Sequence, residues 1–237
     1  MAAVAVLTVV CGTGEAVVRH SVADRVSTAL DGRLGDRPDV SLGSRPALPA
    51  LLDGTLPSVT IAGQADAAGF TGVPVTVRLS DVTVDRARHT TRVSGSQVTA
   101  EVSTDAVTRR ITSGDGKGTG KGKGAGMVSA VTADPAAGTL DLAVQGGLAT
   151  IQVRPTVTDG RMKLSVTDGQ VFGSAAPPAL LDRVQSAIDA LPAPDRPRGQ
   201  KGATDALGLR LTEVTVTDSG LRIDLTGGRA ELTHTAD

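Results

Sequence analysis

The fold is decided by a stretch that occurs twice, Val75-Thr-Val-Arg-Leu-Ser-Asp-Val-Thr-Val84 and Leu207-Gly-Leu-Arg-Leu-Thr-Glu-Val-Thr-Val216. In both copies the apolar residues occupy odd-numbered positions first and even-numbered positions afterwards. Because side chains alternate strictly between the two faces of a strand, this switch either ends the strand or marks a bulge. We interpret both stretches as long strands that are bent by one inserted residue and keep their apolar side chains on the concave side.

A long bent strand wraps around another element instead of lying flat against a second sheet. A helix on its concave side would produce a half-open apolar tube. The alternative is two independent hairpins in an ordinary β-sandwich, whose similarity arises by chance in a chain rich in Val and Thr.

Two segments have the apolar spacing of amphipathic helices. From Glu15 to Leu30 apolar residues recur every four positions. The second segment begins after Pro177 and Pro178, has apolar residues three or four positions apart, and is stopped by Pro192. We therefore predict an α+β fold, in which a strongly curved antiparallel β-sheet wraps around two long amphipathic helices and forms a half-open apolar tube.

Much of the remaining sequence alternates apolar and polar residues, which is typical of strands with one apolar face. A first strand is predicted at Val40 to Leu42, and a hairpin is predicted from Leu207 to Leu225 across the turn at 218–220. The other alternating residues are Val59, Ile61, Val73, Val98, Ala100, Val102, Leu140, Leu142, Val144, Ile151, Val153, Met162, Leu164 and Val166. Residues 113–126 contain glycine at every second position and are predicted to form a flexible loop, because the conformational entropy of glycine opposes regular structure.

The composition limits the classes of function. Of the 237 residues, 40% are hydrophobic and 21% are charged, which suits a folded domain. A net charge of -1 and the absence of Trp and Tyr argue against a nucleic-acid partner. Phe70 and Phe172 are the only aromatic residues, so the core must be aliphatic, and β-branched aliphatic residues favour strands. Cys11 is the single cysteine, which excludes an intramolecular disulfide.

The run from Ala2 to Cys11 carries no charge. It is shorter than the roughly 20 residues that a membrane-spanning helix needs, but it has the length of the apolar region of a signal peptide. We expect residues 1–13 to be the remnant of an export signal or membrane anchor and residues 14–237 to form a single domain. Lipoprotein processing at Cys11 and a buried first strand are the alternatives.

The sequence contains no recognisable catalytic or metal-binding constellation. His20, His89 and His234 lie in different segments without the spacing of metal ligands, and no nucleophile elbow or phosphate loop is present. No cofactor is therefore expected. Carboxylates at predicted bends and turns, to which we assign hydrogen bonds with the local backbone, are Asp81, Asp85, Glu213 and Asp218. Acid–base chemistry and Ca²⁺ binding are the alternatives for these four residues.

Taken together, four stretches resemble the LmeA-like phospholipid-binding family of actinobacterial envelope proteins. The most specific feature is Pro46 to Gly54, a proline and a Leu-rich turn between two strands. The four stretches are Glu15 to Leu30, Val40 to Ile61, Val75 to Asp85 and Leu207 to Gly227. The resemblance implies a fold similar to tubular lipid-binding domains, an N-terminal export or anchor segment, and phospholipid as the ligand. The glycine-rich loop looks like an insertion into this pattern.

We assign the apolar groove to aliphatic side chains of the Leu-rich turn, the two bent strands and the second helix. The rim is assigned to Leu48, Leu51 and Leu52, the interior to Val75, Val77, Leu79, Leu207, Leu209 and Leu211, and the helical wall to Leu181, Val184 and Ile188. Each of these residues could equally belong to a plain core, because about 25 cal/mol per Å² of buried apolar area is available from protein and acyl chain alike.

Three lysines of the glycine-rich loop, Lys117, Lys121 and Lys123, are candidates for contact with anionic headgroups at a membrane surface. Each charge near such a surface contributes about 1 kcal/mol. The alternative is a solvated linker.

We therefore expect a non-catalytic domain, exported across the cytoplasmic membrane into the cell envelope, that binds or carries phospholipid or a related envelope lipid. Protein partners cannot be named from the sequence. A structural or adhesive cell-surface β domain with a filled core is the alternative. Hydrolysis of an envelope lipid or glycan would require paired carboxylates at a fixed separation, and the sequence nominates no such pair.

Overall fold

The computed structural model describes residues 39–42, 55–67, 70–85, 90–113, 128–189 and 207–233, which form two antiparallel sheets and two short helices. The strands are β1 (Asp39–Leu42), β2 (Thr55–Ala67), β3 (Phe70–Asp85), β4 (Thr90–Val93), β5 (Gly95–Ser103), β6 (Val128–Asp134), β7 (Thr139–Val144), β8 (Ala149–Thr158), β9 (Arg161–Val171), β10 (Ser174–Ala175), β11 (Arg210–Thr217), β12 (Gly220–Gly227) and β13 (Ala230–Thr233). The helices are α1 (Thr104–Ser113) and α2 (Pro178–Asp189).

The first sheet, sheet I, has eight strands, and its main path runs in the order β1-β2-β3-β5-β12-β11. Beside this path, β4 pairs with both β3 and β13. The predicted first strand is β1, and the predicted C-terminal hairpin is β11 and β12, with Thr217 opposite Gly220. Both predictions are confirmed.

In sheet I the inward-facing residues switch between odd and even positions at one row of residues, which crosses four neighbouring chain segments. We call this row the crease; it consists of Pro57, Asp81, Ser94 and Arg229. The strand register is the same on both sides of the row in each pair of neighbours, which places these four residues side by side. Asp81 has a φ of 47°, and its Oδ2 accepts a hydrogen bond from Ser94 Oγ at 2.8 Å. The positive φ and this hydrogen bond mark where the chain bends.

The inward-facing residues show the effect of the crease. In β3, Val77 and Leu79 point inward before the crease and Val82 points inward after it. In the adjacent strands, Val93 at the end of β4 and Ser96 in β5 are buried on either side of Ser94. Apolar side chains on both sides of the crease therefore lie on the same face of the sheet.

The predicted inserted residue is present in only one of the two repeated stretches. In β11 the register against β12 shifts between Leu211 and Glu213, so Thr212 is an extra residue, and this bulge is confirmed. In β3 the predicted insertion is wrong, because β3 keeps one register with its neighbours throughout the crease. The apolar pattern switches there because the adjacent strands bend at the same row.

The second sheet, sheet II, is a five-stranded meander in the order β10-β9-β8-β7-β6. Its apolar face packs against the half of sheet I that precedes the crease in β3. The buried residues of this intersheet core are Val73, Val75, Val102, Val216 and Leu221 from sheet I and Val131, Leu140 and Val153 from sheet II. Aliphatic side chains supply the whole buried set, as expected for a chain with two aromatic residues.

Both helices lie at the outer edges of sheet II. On α1, Thr108 Oγ1 accepts a hydrogen bond from the backbone N of Val131 in β6 at 3.1 Å. On α2, Gln185 Oε1 accepts from the backbone N of Val166 at 2.7 Å, and Gln185 Nε2 donates to the Leu164 carbonyl at 3.1 Å. Each helix thus bonds backbone groups that the edge strand would otherwise leave without a partner.

The prediction of one curved sheet around two long helices is wrong. The described residues form two sheets that cover each other's apolar faces, and α1 and α2 have only 10 and 12 residues. A helix is not needed inside sheet I, since sheet II fills that position. The arrangement is closer to the sandwich alternative. The predicted helix from Glu15 to Leu30 and the glycine-rich loop beyond Ser113 lie outside the described residues.

Candidate functional site

Several predicted site residues lie outside the part of the chain that the structure describes. These are the rim residues Leu48, Leu51 and Leu52 and the loop residues Lys117, Lys121 and Lys123. The other nine predicted residues are described, and they fall into three separate places.

The structure brings Val77, Leu79, Leu207 and Leu209 into one apolar cluster on the inward face of sheet I, around the crease. We call this set the crease cluster. Its buried members are Val59, Ile61, Val82, Val93 and Leu207, and its half-buried members are Val40, Leu56, Val77, Leu79, Leu209 and Ala230. The cluster combines residues from both repeated stretches.

Close approach of the chain at Gly227 holds the two C-terminal leucines in the crease cluster. A Cβ at Gly227 would overlap the carbonyl oxygen of Leu207 and Oγ of Ser96, and it would lie 3.2 Å from Leu209 Cδ2. Only glycine leaves room for the segment from Leu207 to Leu209 to cross β12 at this distance. The sequence showed a glycine here without showing what crosses it.

The crease cluster contains a buried hydroxyl group. Ser96 is 4% exposed, and among the described residues its Oγ has no hydrogen-bond partner. A buried hydroxyl without a partner costs about 1–3 kcal/mol relative to a bonded one. This hydroxyl therefore lies beneath the apolar side chains, beside Gly227 and Leu209, without an exposed surface.

Val75 and Leu211 lie elsewhere on sheet I. Val75 is buried in the intersheet core, whereas Val77, two residues further along β3, contacts both the intersheet core and the crease cluster. Leu211 is half-buried opposite Leu225, immediately before the bulge at Thr212.

The predicted helical wall forms part of the support of sheet II. Leu181 packs onto β9, where its Cδ2 would lie 2.8 Å from a Cβ at Gly169. Ile188 packs against the intersheet core, and Val184 is half-buried on the same helix. These three residues do not join the crease cluster.

Sequence reasoning missed seven buried or half-buried contributors from β1, β2, β3, β4 and β13, namely Val40, Leu56, Val59, Ile61, Val82, Val93 and Ala230. A usable signal was present. Val59 lies opposite Leu79 and Ile61 lies opposite Val77, so the alternating pattern of one strand complements that of the next. Pairing the alternating segments with each other would have identified Val59 and Ile61.

A pocket of about 320 Å³ lies at the opposite end of β3, near the start of α1. It is lined by Thr71, Gly72, Val73, Pro74, Glu101, Val102, Ser103, Ala106, Arg109 and Ser219. Glu101 also accepts a hydrogen bond from Arg222 at 3.1 Å. None of the predicted site residues lines this pocket, which is a mixed polar and apolar surface.

One carboxyl group has a shifted pKa. Burial raises the pKa of Asp141 on β7, and repulsion from Asp134 raises it further, while a hydrogen bond from the Gln152 side chain opposes both effects. Within the described ranges, no group of three His, Cys, Asp or Glu side chains could hold a metal ion, and no helix has the length and hydropathy to span a membrane.

A model of a protein family described as LmeA-like phospholipid-binding matches residues 11–226 of the chain. The match includes both repeated stretches and the strands β1 to β12, apart from the last residue of β12. Searches of curated proteins and of solved structures found no match.

Proposed function

Since the chain belongs to the LmeA-like phospholipid-binding family, we propose that it binds phospholipid through the crease cluster, without catalysing a reaction on it. The observation that carries this proposal is the convergence of Val77, Leu79 and Leu209, all half-buried, on one apolar face of sheet I. Acyl chains would cover the exposed part of these side chains. Each methylene group removed from water contributes about 0.8 kcal/mol.

The crease cluster lies on both sides of the crease and shares only Val77 with the intersheet core. Sheet II covers the part of sheet I that holds Val73 and Val75, whereas no residue of sheet II belongs to the crease cluster. The Oγ of Ser96 lies buried beside this face and has no hydrogen-bond partner among the described residues. An apolar surface with one or a few polar groups is the usual composition of a small-molecule site.

A second candidate function is a structural or adhesive domain whose crease cluster is a filled core. The observation that favours it is the burial of Val93, which is 1% exposed, and of Val59, which is 5% exposed. In that case no lipid would occupy the face of sheet I.

The two functions are distinguished by native mass spectrometry of the full chain, followed by extraction and identification of bound lipid. We expect stoichiometric phospholipid in the wild-type protein and its loss in Leu79→Asp and Leu209→Asp. The matched controls are Ser80→Asp and Arg210→Asp, which place the same charge on the exposed residue that follows each leucine in the sequence. Circular dichroism establishes that each variant folds. A lipid-free wild-type protein that also takes up no phospholipid from added vesicles would reject the proposal in favour of the filled core.

The location is also a proposal. We place the protein in the cell envelope because the uncharged run from Ala2 to Cys11 has the length of the apolar region of a signal peptide. Export would bring the crease cluster to a membrane surface that supplies phospholipid. Protease treatment of intact cells tests it, since an exported protein is digested once the outer barrier is opened and a retained one is protected.

A further inference from the structure

The two ends of sheet II differ in charge. At one end lie the β8–β9 turn and the β6–β7 turn, with Asp134, Arg154, Asp159, Arg161 and Lys163 on or beside them. At the other end, residues 128–133, 142–153 and 169–181 contain no Asp, Glu, Lys, Arg or His. Because 21% of the whole chain is charged, segments of this total length would ordinarily carry several charges. We call this second end the uncharged end.

Large apolar side chains protrude from the uncharged end. Phe172, in the turn between β9 and β10, is 78% exposed, and Leu148, in the connection from β7 to β8, is 49% exposed. The two residues are neighbours, because the backbone N of Phe172 donates a hydrogen bond to the carbonyl of Leu148 at 2.8 Å. Leu180, on the first turn of α2, is 39% exposed. One of only two aromatic residues in the chain is thus held in solvent.

The backbone at Phe172 makes this exposure more unusual. Phe172 and Gly173 form a two-residue hairpin turn with φ values of 51° and 76°. Such turns favour Asn, Asp or Gly at the first position, and a bulky residue there is strained. The β8–β9 turn at the charged end uses the favoured pair, Asp159 and Gly160, with φ values of 53° and 69°. Phe172 therefore combines backbone strain with loss of burial, and neither effect stabilises the fold.

We propose that the uncharged end of sheet II is a contact site for a phospholipid bilayer, into whose interface Phe172 and Leu148 insert. The exposed fractions of Phe172, Leu148 and Leu180 correspond to a combined exposed apolar area of about 300 Å². A stable protein–protein interface buries about 800 Å² on each partner, so this patch is too small for a protein partner of that kind. A bilayer sets no such minimum, and exposed aromatic and aliphatic side chains on turns suit its interfacial layer.

This inference rests on the proposed function only in taking phospholipid as the partner. The crease cluster would hold a lipid molecule, and the uncharged end would bring the protein to the membrane from which that molecule comes. The two sites share no residue, so they can be tested separately.

The first test uses the absence of Trp and Tyr from the chain, which makes a single introduced Trp the only strong fluorophore. Phe172→Trp in the full chain is titrated with phosphatidylcholine vesicles, with and without phosphatidylglycerol, and with vesicles whose acyl chains carry bromine. We expect a blue shift of the emission and quenching by bromine. The matched control is Met162→Trp, because Met162 is 45% exposed at the charged end and should show neither effect. Unchanged emission from Trp at 172, or equal shifts at both positions, would overturn the inference.

The second test measures vesicle co-sedimentation of the double variant Phe172→Asn and Leu148→Asn. Asn tolerates the positive φ at 172, so the variant should fold at least as well as the wild type. We expect the vesicle partition coefficient to fall about tenfold or more, with no change for Met162→Ser. Wild-type partition in the double variant would overturn the inference. Phospholipid extracted from the same protein preparations before vesicles are added, together with uptake measured by native mass spectrometry, reports separately on the crease cluster: absence of both from the wild type would reject the proposed function and leave the fluorescence result standing.

Discussion

Gly227 is the position at which a single methyl group should disturb the candidate site most directly. In Gly227→Ala the new Cβ would overlap two atoms, the carbonyl oxygen of Leu207 and Oγ of Ser96, and would also press on Leu209 Cδ2 at 3.2 Å. The carbonyl belongs to the backbone, so it cannot rotate away as a flexible side chain would. The segment from Leu207 to Leu209 must therefore move away from β12.

The size of the effect follows from two opposing contributions. Overpacking of this kind costs about 1–3 kcal/mol. The loss of glycine's freedom in the unfolded chain offsets about 0.4–1 kcal/mol of that cost. We expect a net loss of about 1–2 kcal/mol in the free energy of unfolding, together with a lower content of bound phospholipid, because two members of the crease cluster are displaced.

Gly228→Ala is the matched control, since a Cβ at Gly228 meets no atom within 4 Å. It should be as stable as the wild type or slightly more stable. Urea unfolding followed by far-ultraviolet circular dichroism measures both variants, as the chain has no Trp for fluorescence. Equal stability of the two alanine variants would refute the argument that Gly227 is required for the approach of Leu207.

Two further predictions concern Asp81 and Asp141. Asp81→Val should lower the free energy of unfolding by about 2–3 kcal/mol, because a β-branched residue is strained at a φ of 47° and the hydrogen bond from Ser94 Oγ is lost. Asp81→Asn should change the free energy of unfolding by less than about 0.5 kcal/mol. Chemical denaturation checks this, and equal values for Val and Asn would contradict it. Burial and Asp134 raise the pKa of Asp141 in the folded state, so its stabilising contribution is complete below pH 3.8 and is lost as the pH rises through the raised pKa. Asp141→Asn should therefore be more stable than the wild type at neutral pH but not below pH 3.8, as measured by urea unfolding across this pH range. A stability difference that does not change with pH would contradict the raised pKa of Asp141.

The sequence predicted individual strands better than it predicted how they assemble. Alternation in Val73 to Leu79 and in Leu140 to Val144 indicates which face of each strand is apolar, and both segments are strands. Alternation does not indicate which apolar face packs on which, so two packed sheets were interpreted as one sheet curved around helices. The bulge at Thr212 was predictable because it leaves a mark in its own strand. The crease was only partly predictable, because it depends on four strands bending at one row.

The helices were predicted less well, for physical reasons that differ. The apolar spacing of Leu181, Val184 and Ile188 predicted α2, but it carried no information on which surface the helix covers. The ten residues of α1 were not predicted, since Val107 and Ile111 are β-branched and favour strands. A start signal was nevertheless present: Ser103 Oγ accepts a hydrogen bond from the backbone N of Ala106 and caps the helix.

Thr108 and Gln185, described above as the links between the helices and sheet II, also bear on how copies of this chain behave towards one another. An exposed edge strand offers unpaired backbone groups to any other strand, and a β-rich protein with open edges aggregates by edge-to-edge pairing. The Val131 amide in β6 and the Val166 amide in β9 are both occupied by helix side chains. A second copy could add a strand at either position only after α1 or α2 had detached. Edge-to-edge pairing through sheet II is therefore blocked by the docking of two short helices, and a variant that loosens either helix should aggregate through that sheet before it unfolds.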